Sequence, residues 1–508
     1  MTQKCYLTVR DEVWCHITGL KPEHNEFLWN KMAIFKDGYF WMPAYKLGRW
    51  DGKIRFFDKT GKTYVRLLDR ILPFIEGWGY DIELTDHRKF HQSPEYSVAI
   101  HKHDDNGLAL ECEDVELIPG AEFAPGKPFR LRPYQAQAVM AAVEAGSGFV
   151  IAGTGAGKTS ITAAISYIYS QAGYRTITIV PSGDLVTQTA DWYAQLGMDT
   201  GIYSGDTKDI DHDNVVATWQ SLQYNPALLS KFQCLIWDEA HGIQAEVAQK
   251  LLNESGKHIA FRFGVTGTLP KPELDQTALF SSIGPVLIEI PAHWLMARGY
   301  LAKVDIQPVE LDETYIDQEF TDYAAEKAFL SKSPARMEKI ADLIISNCAT
   351  HGNTLVLVNS IPFGQKLASL IKGAVFLYGE SPKDLRKEHY EMFDQHDDLI
   401  VIASAGIAST GISIDRVFCL MMIDPGKSFI KAIQSIGRGL RLADDKKFLF
   451  AVDVSSKLKW AKKHAKERAK YYAEAQYDVL KKISIKVFGN GEPALPIKKT
   501  RKKKNEAT

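Results

Sequence analysis

The chain has 508 residues, 45% of them hydrophobic and 24% charged, a globular balance that excludes wholesale disorder, a collagen-like repeat and a coiled-coil rod. At roughly 100–200 residues per domain, the length predicts about three domains, each with apolar material for a core. The net charge of −1 hides an asymmetry. Residues 456–508 carry 16 Lys and Arg against 5 Asp and Glu, and residues 36–70 carry 9 against 4, which points to a polyanionic partner.

Residues 417–423 are among the longest apolar runs, far short of the roughly 18–20 residues that cross a bilayer. The opening MTQKCYLTVRDEVW has no basic-then-apolar signal pattern. A cytoplasmic protein is expected (host-cell cytoplasm for a viral chain), with no membrane partner and a monomer in solution. Six scattered cysteines without a C-x-x-C pair argue against a zinc site and a disulfide framework, so reduced, buried thiols are expected.

In chain order, residues 1–120 read as a first unit rich in aromatic and β-favouring residues. It includes a hairpin, YSVAIHKH and LALECEDVEL, turning at Asn106-Gly107. Residues 117–129, dense in Pro and Gly, read as a linker. From 130 onward, short apolar runs alternate with helical patterns. FVIAG (149–153), TITIVP (176–181), NVVATW (214–219), CLIWDE (234–239) and FRFGVTG (261–267) read as buried parallel strands. The texture returns in TLVLVNS (354–360), AVFLYG (374–379), LIVIASA (399–405), VFCLMMID (417–424) and FLFAVD (448–453). Between the sets, about 305–335, lies an acidic stretch without strand texture. Two α/β units joined by a connector are predicted. After 455 one helix is expected, with Leu458, Ala461, Ala465, Ala469, Tyr472, Val479 and Ile483 on one stripe and lysines opposite. GNGEP would end it before a basic tail. The domain boundaries are set at 1–120, 126–305, 306–455 and 456–508.

Three motifs carry chemistry. AGTGAGKT (152–159) follows a strand and opens a helix. Its backbone from Gly153, Thr154, Gly155, Ala156 and Gly157 can cradle phosphates, Lys158 can reach β/γ oxygens, and Thr159 can bind Mg²⁺. IWDEAH (236–241) ends another strand. Asp238 would hold Mg²⁺ through water and Glu239 would polarise the attacking water. In QSIGRGLR (434–441), Arg438 and Arg441 share one face of a helix and suit the charge growing on a transferring γ-phosphate. Nearer the N-terminus, Arg49, Lys53 and Arg55 interleave with Trp50 and other aromatics, a mixture that can neutralise phosphates and stack on unpaired bases.

Over 129–455 these motifs resemble a superfamily 2 helicase/translocase. FRLRPYQAQAV (129–139) resembles the adenine-reading Q motif, with Gln135 in the adenine position and Arg132 beside it. IVPSGDLVTQ (179–188) and ATWQSL (217–222) resemble nucleic-acid-contacting segments that include Pro181 and Thr218; VTGTLP (265–270) resembles motif III. ASTGISI (408–414) resembles motif V, with Thr410 and Gly411 as grip points, and QSIGRGLR resembles motif VI, Gln434 included. Ser435 and Leu440 depart from the Q-R-x-G-R-x-G-R of DEAH-type RNA helicases, Ser413 replaces the usual acidic residue of motif V, and TGT stands for SAT in motif III. These departures are closer to DNA translocases. YKLGRWDGKIRFFD (45–58) and RLLDRILPFIEGWGY (66–80) resemble the N-terminal domain of the UvsW-type phage recombination helicases.

The resemblance implies two tandem RecA-like parallel-sheet domains, preceded by a small α+β DNA-binding domain and followed by a basic C-terminal helix. It also implies ATP with Mg²⁺ held between the two motor units, and branched or forked DNA as substrate. Branch migration, fork reversal and Holliday-junction or R-loop unwinding are the implied activities, with recombination or replication proteins as companions. The alternatives are an RNA helicase, a duplex-DNA translocase that parts no strands, and an ATP-switched clamp.

Overall fold

The computed structural model describes residues 3–244, 246–313, 320–405, 416–426 and 445–487. The chain divides into two compact units, Met1–Pro291 and Ala292–Thr508.

The first unit begins with a four-stranded sheet in the order Lys62–Tyr64, Trp14–Thr18, Gln3–Val9, Tyr80–Asp86. Cys5, Leu7 and Val9 alternate inward along Gln3–Val9, the period-2 pattern of a strand with one covered face. Helices Pro22–Lys31 and Leu68–Gly77 supply Leu28, Ile71 and Ile75 to the same core. That core also takes in Ala278, with Leu274 packed against it, so it continues into the motor domain that follows. Two hydrogen bonds bridge the same junction: Trp14 Nε1 donates to Asn253 O (3.2 Å) and the Glu12 amide to Lys257 O (2.9 Å).

The predicted hairpin forms as Ile100–His103 paired antiparallel with Ala109–Cys112. Gly107 takes φ +79°, a conformation costly for residues with a Cβ. Residues 117–129 differ from expectation. They include the short strands Glu122–Ala124 and Lys127–Pro128, and Ile118, Ala121 and Phe129 sit in one core with Val180, Val186 and Tyr193. Burial of these isolated apolar residues makes the stretch part of the motor wall; irregular backbone misled the sequence reading.

The motor sheet runs Thr207–Lys208, Thr200–Ser204, Asn214–Thr218, Thr176–Val180, Cys234–Asp238, Phe261–Thr266, Ser147–Ala152, Val286–Ile290. All its pairings are parallel except the edge hairpin. The five predicted strands are its centre. They are apolar on both faces because helices such as Lys158–Gln171 and Gly183–Gln195 cover the sheet. The outer strands Thr200–Ser204 and Val286–Ile290 are only partly buried, which is why their patterns are weak.

The second unit holds a parallel sheet ordered Val375–Leu377, Ile400–Ser404, Thr354–Val358, Cys419–Ile423, Phe448–Ser456, Lys303–Asp312, with Asp478–Val479 and Ile483–Lys486 both paired to Lys303–Asp312. Two expectations are corrected here. The stretch read as an acidic connector begins with a ten-residue strand, Lys303–Asp312, whose Val304, Ile306, Val309 and Leu311 are buried. Acidic residues and Pro308 masked it, because the sheet's hydrogen bonds decide the conformation and not the propensity. The helix after 455 spans only Lys459–Glu474. Val479 and Ile483 lie in strands, and Gln476 turns the chain at φ +54°. Its buried face is Ala461, His464, Arg468 and Tyr472, while Ala469 is exposed. The stripe is shifted because an ion pair, not an alanine, fills the contact. Arg468 donates to both oxygens of Asp453 (2.8 and 2.7 Å).

Candidate nucleotide site

The phosphate loop leaves the strand Ser147–Ala152 and enters the helix Lys158–Gln171. Gly155 (φ +85°) and Gly157 (φ +78°) supply the two left-handed turns. No side chain caps this helix, so its first amides and positive dipole end face an incoming anion. Thr159 is exposed in the first turn.

The Q-motif residues brace the loop from below. Gln135, 5% exposed, donates from Nε2 to Ala156 O (2.9 Å) and accepts from the Arg132 amide (2.8 Å). The Tyr134 hydroxyl donates to the same Ala156 carbonyl (3.1 Å), and Arg132 Nη1 donates to Tyr134 (3.2 Å). A Cβ on Gly157 would lie 2.3 Å from Gln135 Nε2, so the loop and the glutamine require each other.

Asp238 ends the strand Cys234–Asp238 and Glu239 follows it in a turn; this strand is separated from the phosphate-loop strand by Phe261–Thr266. Lys158 Nζ lies 3.5 Å from Glu239 Oε1, and the Glu239 amide donates to Asp238 Oδ1 (2.9 Å). Glu239 stands at φ +49°, a strained conformation for a residue with a side chain. Burial pushes Asp238 up to about 6, with the Glu239 charge adding to it and Lys158 opposing. Burial acts on Glu239 in the same direction, yet Lys158 and His241 together hold it down to about 2. One carboxylate is thus ionised and paired, and its neighbour lacks enough positive charge. That arrangement suits a divalent cation at Asp238.

Two participants were not assigned from sequence. His241 Nδ1 lies 3.3 Å from Glu239 Oε2 and 3.1 Å from Thr266 Oγ1, so it ties the acidic motif to motif III. The Tyr134 hydroxyl is the other. Their signals were adjacency alone, the last letter of DEAH and the residue before Gln135.

Pro181 follows and Thr218 ends the paired parallel strands Thr176–Val180 and Asn214–Thr218, at the same carboxyl end of the sheet as the phosphate loop. Thr218, 5% exposed, caps the short helix Trp219–Leu222. Arg49, Trp50, Lys53 and Arg55 group in the N-terminal domain. Trp50 Nε1 donates to Lys53 O (2.9 Å), and Arg55 is paired with Asp51 and lies 3.7 Å over the Trp29 ring. Gln434, Arg438, Arg441, Thr410 and Gly411 lie outside the described residues.

Three family models match, in chain order: DNA helicase UvsW, N-terminal, over residues 24–85; type III restriction enzyme, res subunit, over 128–271; and helicase conserved C-terminal domain over 335–443. The ATP-dependent DNA helicase uvsW of Enterobacteria phage T4 is 25% identical over 456 residues, covering 86% of this chain and 87% of the relative. In all three segments the chain resembles a superfamily 2 helicase of the UvsW type. The DNA 3'-5' helicase XPB of Kineococcus radiotolerans is 27% identical over 373 residues, 68% of this chain and 63% of that protein. Among solved structures, the type ISP restriction-modification enzyme LlaBIII shares the fold at 16% identity and a TM-score of 0.55, over 72% of this chain and 32% of that one.

Proposed function

We propose that this chain is an ATP-hydrolysing DNA helicase/translocase that remodels branched DNA, by branch migration, fork reversal or junction unwinding. The observation that carries the reading is the convergence of the phosphate loop, which opens a helix without a side-chain cap, with Lys158, Asp238 and Glu239 at the carboxyl ends of parallel strands. It stands beside the match of residues 24–85 to the UvsW N-terminal family. The amides of 153–159 and Lys158 take the triphosphate, and Gln135 holds the loop under it through Ala156 O. Thr159 and Asp238 would hold Mg²⁺, which when bound neutralises the β- and γ-oxygens. Glu239, ionised and oriented by Lys158 and His241, accepts a hydrogen bond from the attacking water. Arg438 and Arg441 are assigned by their motif to the charge that grows on the γ-phosphate. Pro181, Thr218, Thr410 and Gly411 are assigned to the DNA backbone, a sequence-independent grip.

The test is ATP hydrolysis by the full chain with a four-way DNA junction, linear duplex, single strand or RNA, with strand products followed. Strongest stimulation by the junction, with conversion into two duplexes, is expected. Stimulation by RNA without junction processing overturns the DNA reading.

A further inference from the structure

Between Met32 and Gly52 no residue is buried. This lobe leaves the N-terminal domain along Ala33–Phe35 and returns along Lys53–Arg55, two strands paired antiparallel. Its order comes from its own rings. Tyr39 stacks on Phe35 with centroids 4.7 Å apart and meets Tyr45 edge-on at 4.8 Å. Gly52, at φ +83°, makes room for it, since a Cβ there would lie 2.4 Å from the Tyr39 ring. The arrangement leaves Trp41 71% and Phe40 50% exposed, side by side at 5.1 Å.

Two large neighbouring aromatics held in water bury little and contribute little to the fold, so their use lies elsewhere. The charge around them names the occupant. Residues 31–55 carry six Lys and Arg against two Asp, and one of those two, Asp51, is already paired with Arg55. Lys46 lies 5.3 Å over Trp41, and Lys53 lies 4.8 Å over Phe35. A cationic surface with exposed rings suits a polyanion with flat apolar faces of its own, which is unpaired DNA. Trp50 and Arg55, by contrast, are engaged inside the lobe.

The root of the lobe borders the segment that follows motif III. Ala33, Phe35 and Asp37 share a cavity of about 340 Å³ with Pro272, Glu273 and Leu274, at the start of the helix Glu273–Ser282. That helix follows Thr266-Gly267-Thr268, where a Cβ on Gly267 would lie 3.7 Å from Lys158 Nζ. We propose that the 33–51 lobe is the wedge that parts strands, with Trp41 and Phe40 stacking on the first unpaired base at a DNA branch. The proposal rests on the DNA-helicase reading above and deepens it.

The experiment uses the full chain and a forked duplex carrying 2-aminopurine at the first unpaired position. The parent protein should quench the probe, Trp41→Phe should retain quenching, and the Phe40→Ala/Trp41→Ala double variant should lose it. Strands separated per ATP hydrolysed should fall about tenfold or more in the double variant. A parent that does not quench, or a double variant that quenches and separates strands per ATP as the parent does, overturns the wedge and leaves the helicase reading intact. A parent that hydrolyses no ATP with any DNA overturns that reading instead.

Discussion

Glu239 is held in a left-handed backbone conformation that costs roughly 1–2 kcal/mol, and three contacts account for its persistence. Lys158 and His241 lie at 3.5 and 3.3 Å from its two oxygens, and its amide donates to Asp238. The strain places one ionised carboxylate beside the lysine of the phosphate loop. Replacing the carboxylate with an amide keeps the size and removes the strong acceptor. Glu239→Gln is therefore expected to bind ATP as the parent does and to hydrolyse it at least about 100-fold more slowly. Fluorescent-nucleotide binding and single-turnover phosphate release check the two halves separately. Much of this site was legible in the letters, since Gly155, Gly157, Lys158, Asp238 and Glu239 stand at fixed offsets from strand ends. What was not legible is Gln135 bonding to Ala156 O, because a motif says which residues converge and not which atoms meet.

At the scale of elements, legibility followed burial. Central strands apolar on both faces, such as Thr176–Val180 and Thr354–Val358, were readable as uninterrupted runs. Lys303–Asp312 was not, because it mixes acids and a proline with its buried residues and is fixed by pairing with Phe448–Ser456. The same limit hid the docking of Lys459–Glu474. An arginine reads as a solvated residue, yet Arg468 is 1% exposed. Burial works against its charge, and Asp453 more than offsets this and raises its pKa above the ordinary arginine value. Arg468 also donates to Gly426 O (2.5 Å), and Tyr472 donates to Asp453 Oδ2 (2.9 Å). Removing one partner leaves a buried charge uncompensated, at a cost of about 3–5 kcal/mol. Arg468→Met should accordingly lower the urea midpoint of the second unit and speed hydrogen exchange along Phe448–Ser456. The Arg468→Met/Asp453→Asn double variant should recover part of the loss. Equal losses in the single and double variants would mean that packing, and not the pair, holds the helix.

For the molecule as a whole, the sequence separated an aromatic-rich N-terminal stretch from two α/β motors but carried no sign of how the first two join. Periodicity reports which face of an element is covered, never by what. Ala278, on the helix Glu273–Ser282 after motif III, is 9% exposed and belongs to the core formed by Ile71, Ile75, Phe57 and Leu7. The hydrogen bonds from Trp14 and Glu12 to Asn253 O and Lys257 O lie on the same junction. A shared apolar core makes the N-terminal domain and the first motor open together, because exposing either face costs burial in both. Ala278→Glu puts a carboxylate into that core and should break the coupling without touching the motor sheet. In the full chain, amides of Gln3–Val9 should then exchange about tenfold faster or more, while those of Ser147–Ala152 keep their protection. Unchanged exchange along Gln3–Val9 would show that the N-terminal core stands without the helix. Equal acceleration in both strands would show that Ala278 serves the motor first. The expected split instead makes the helix Glu273–Ser282 the part that holds the N-terminal core to the first motor domain.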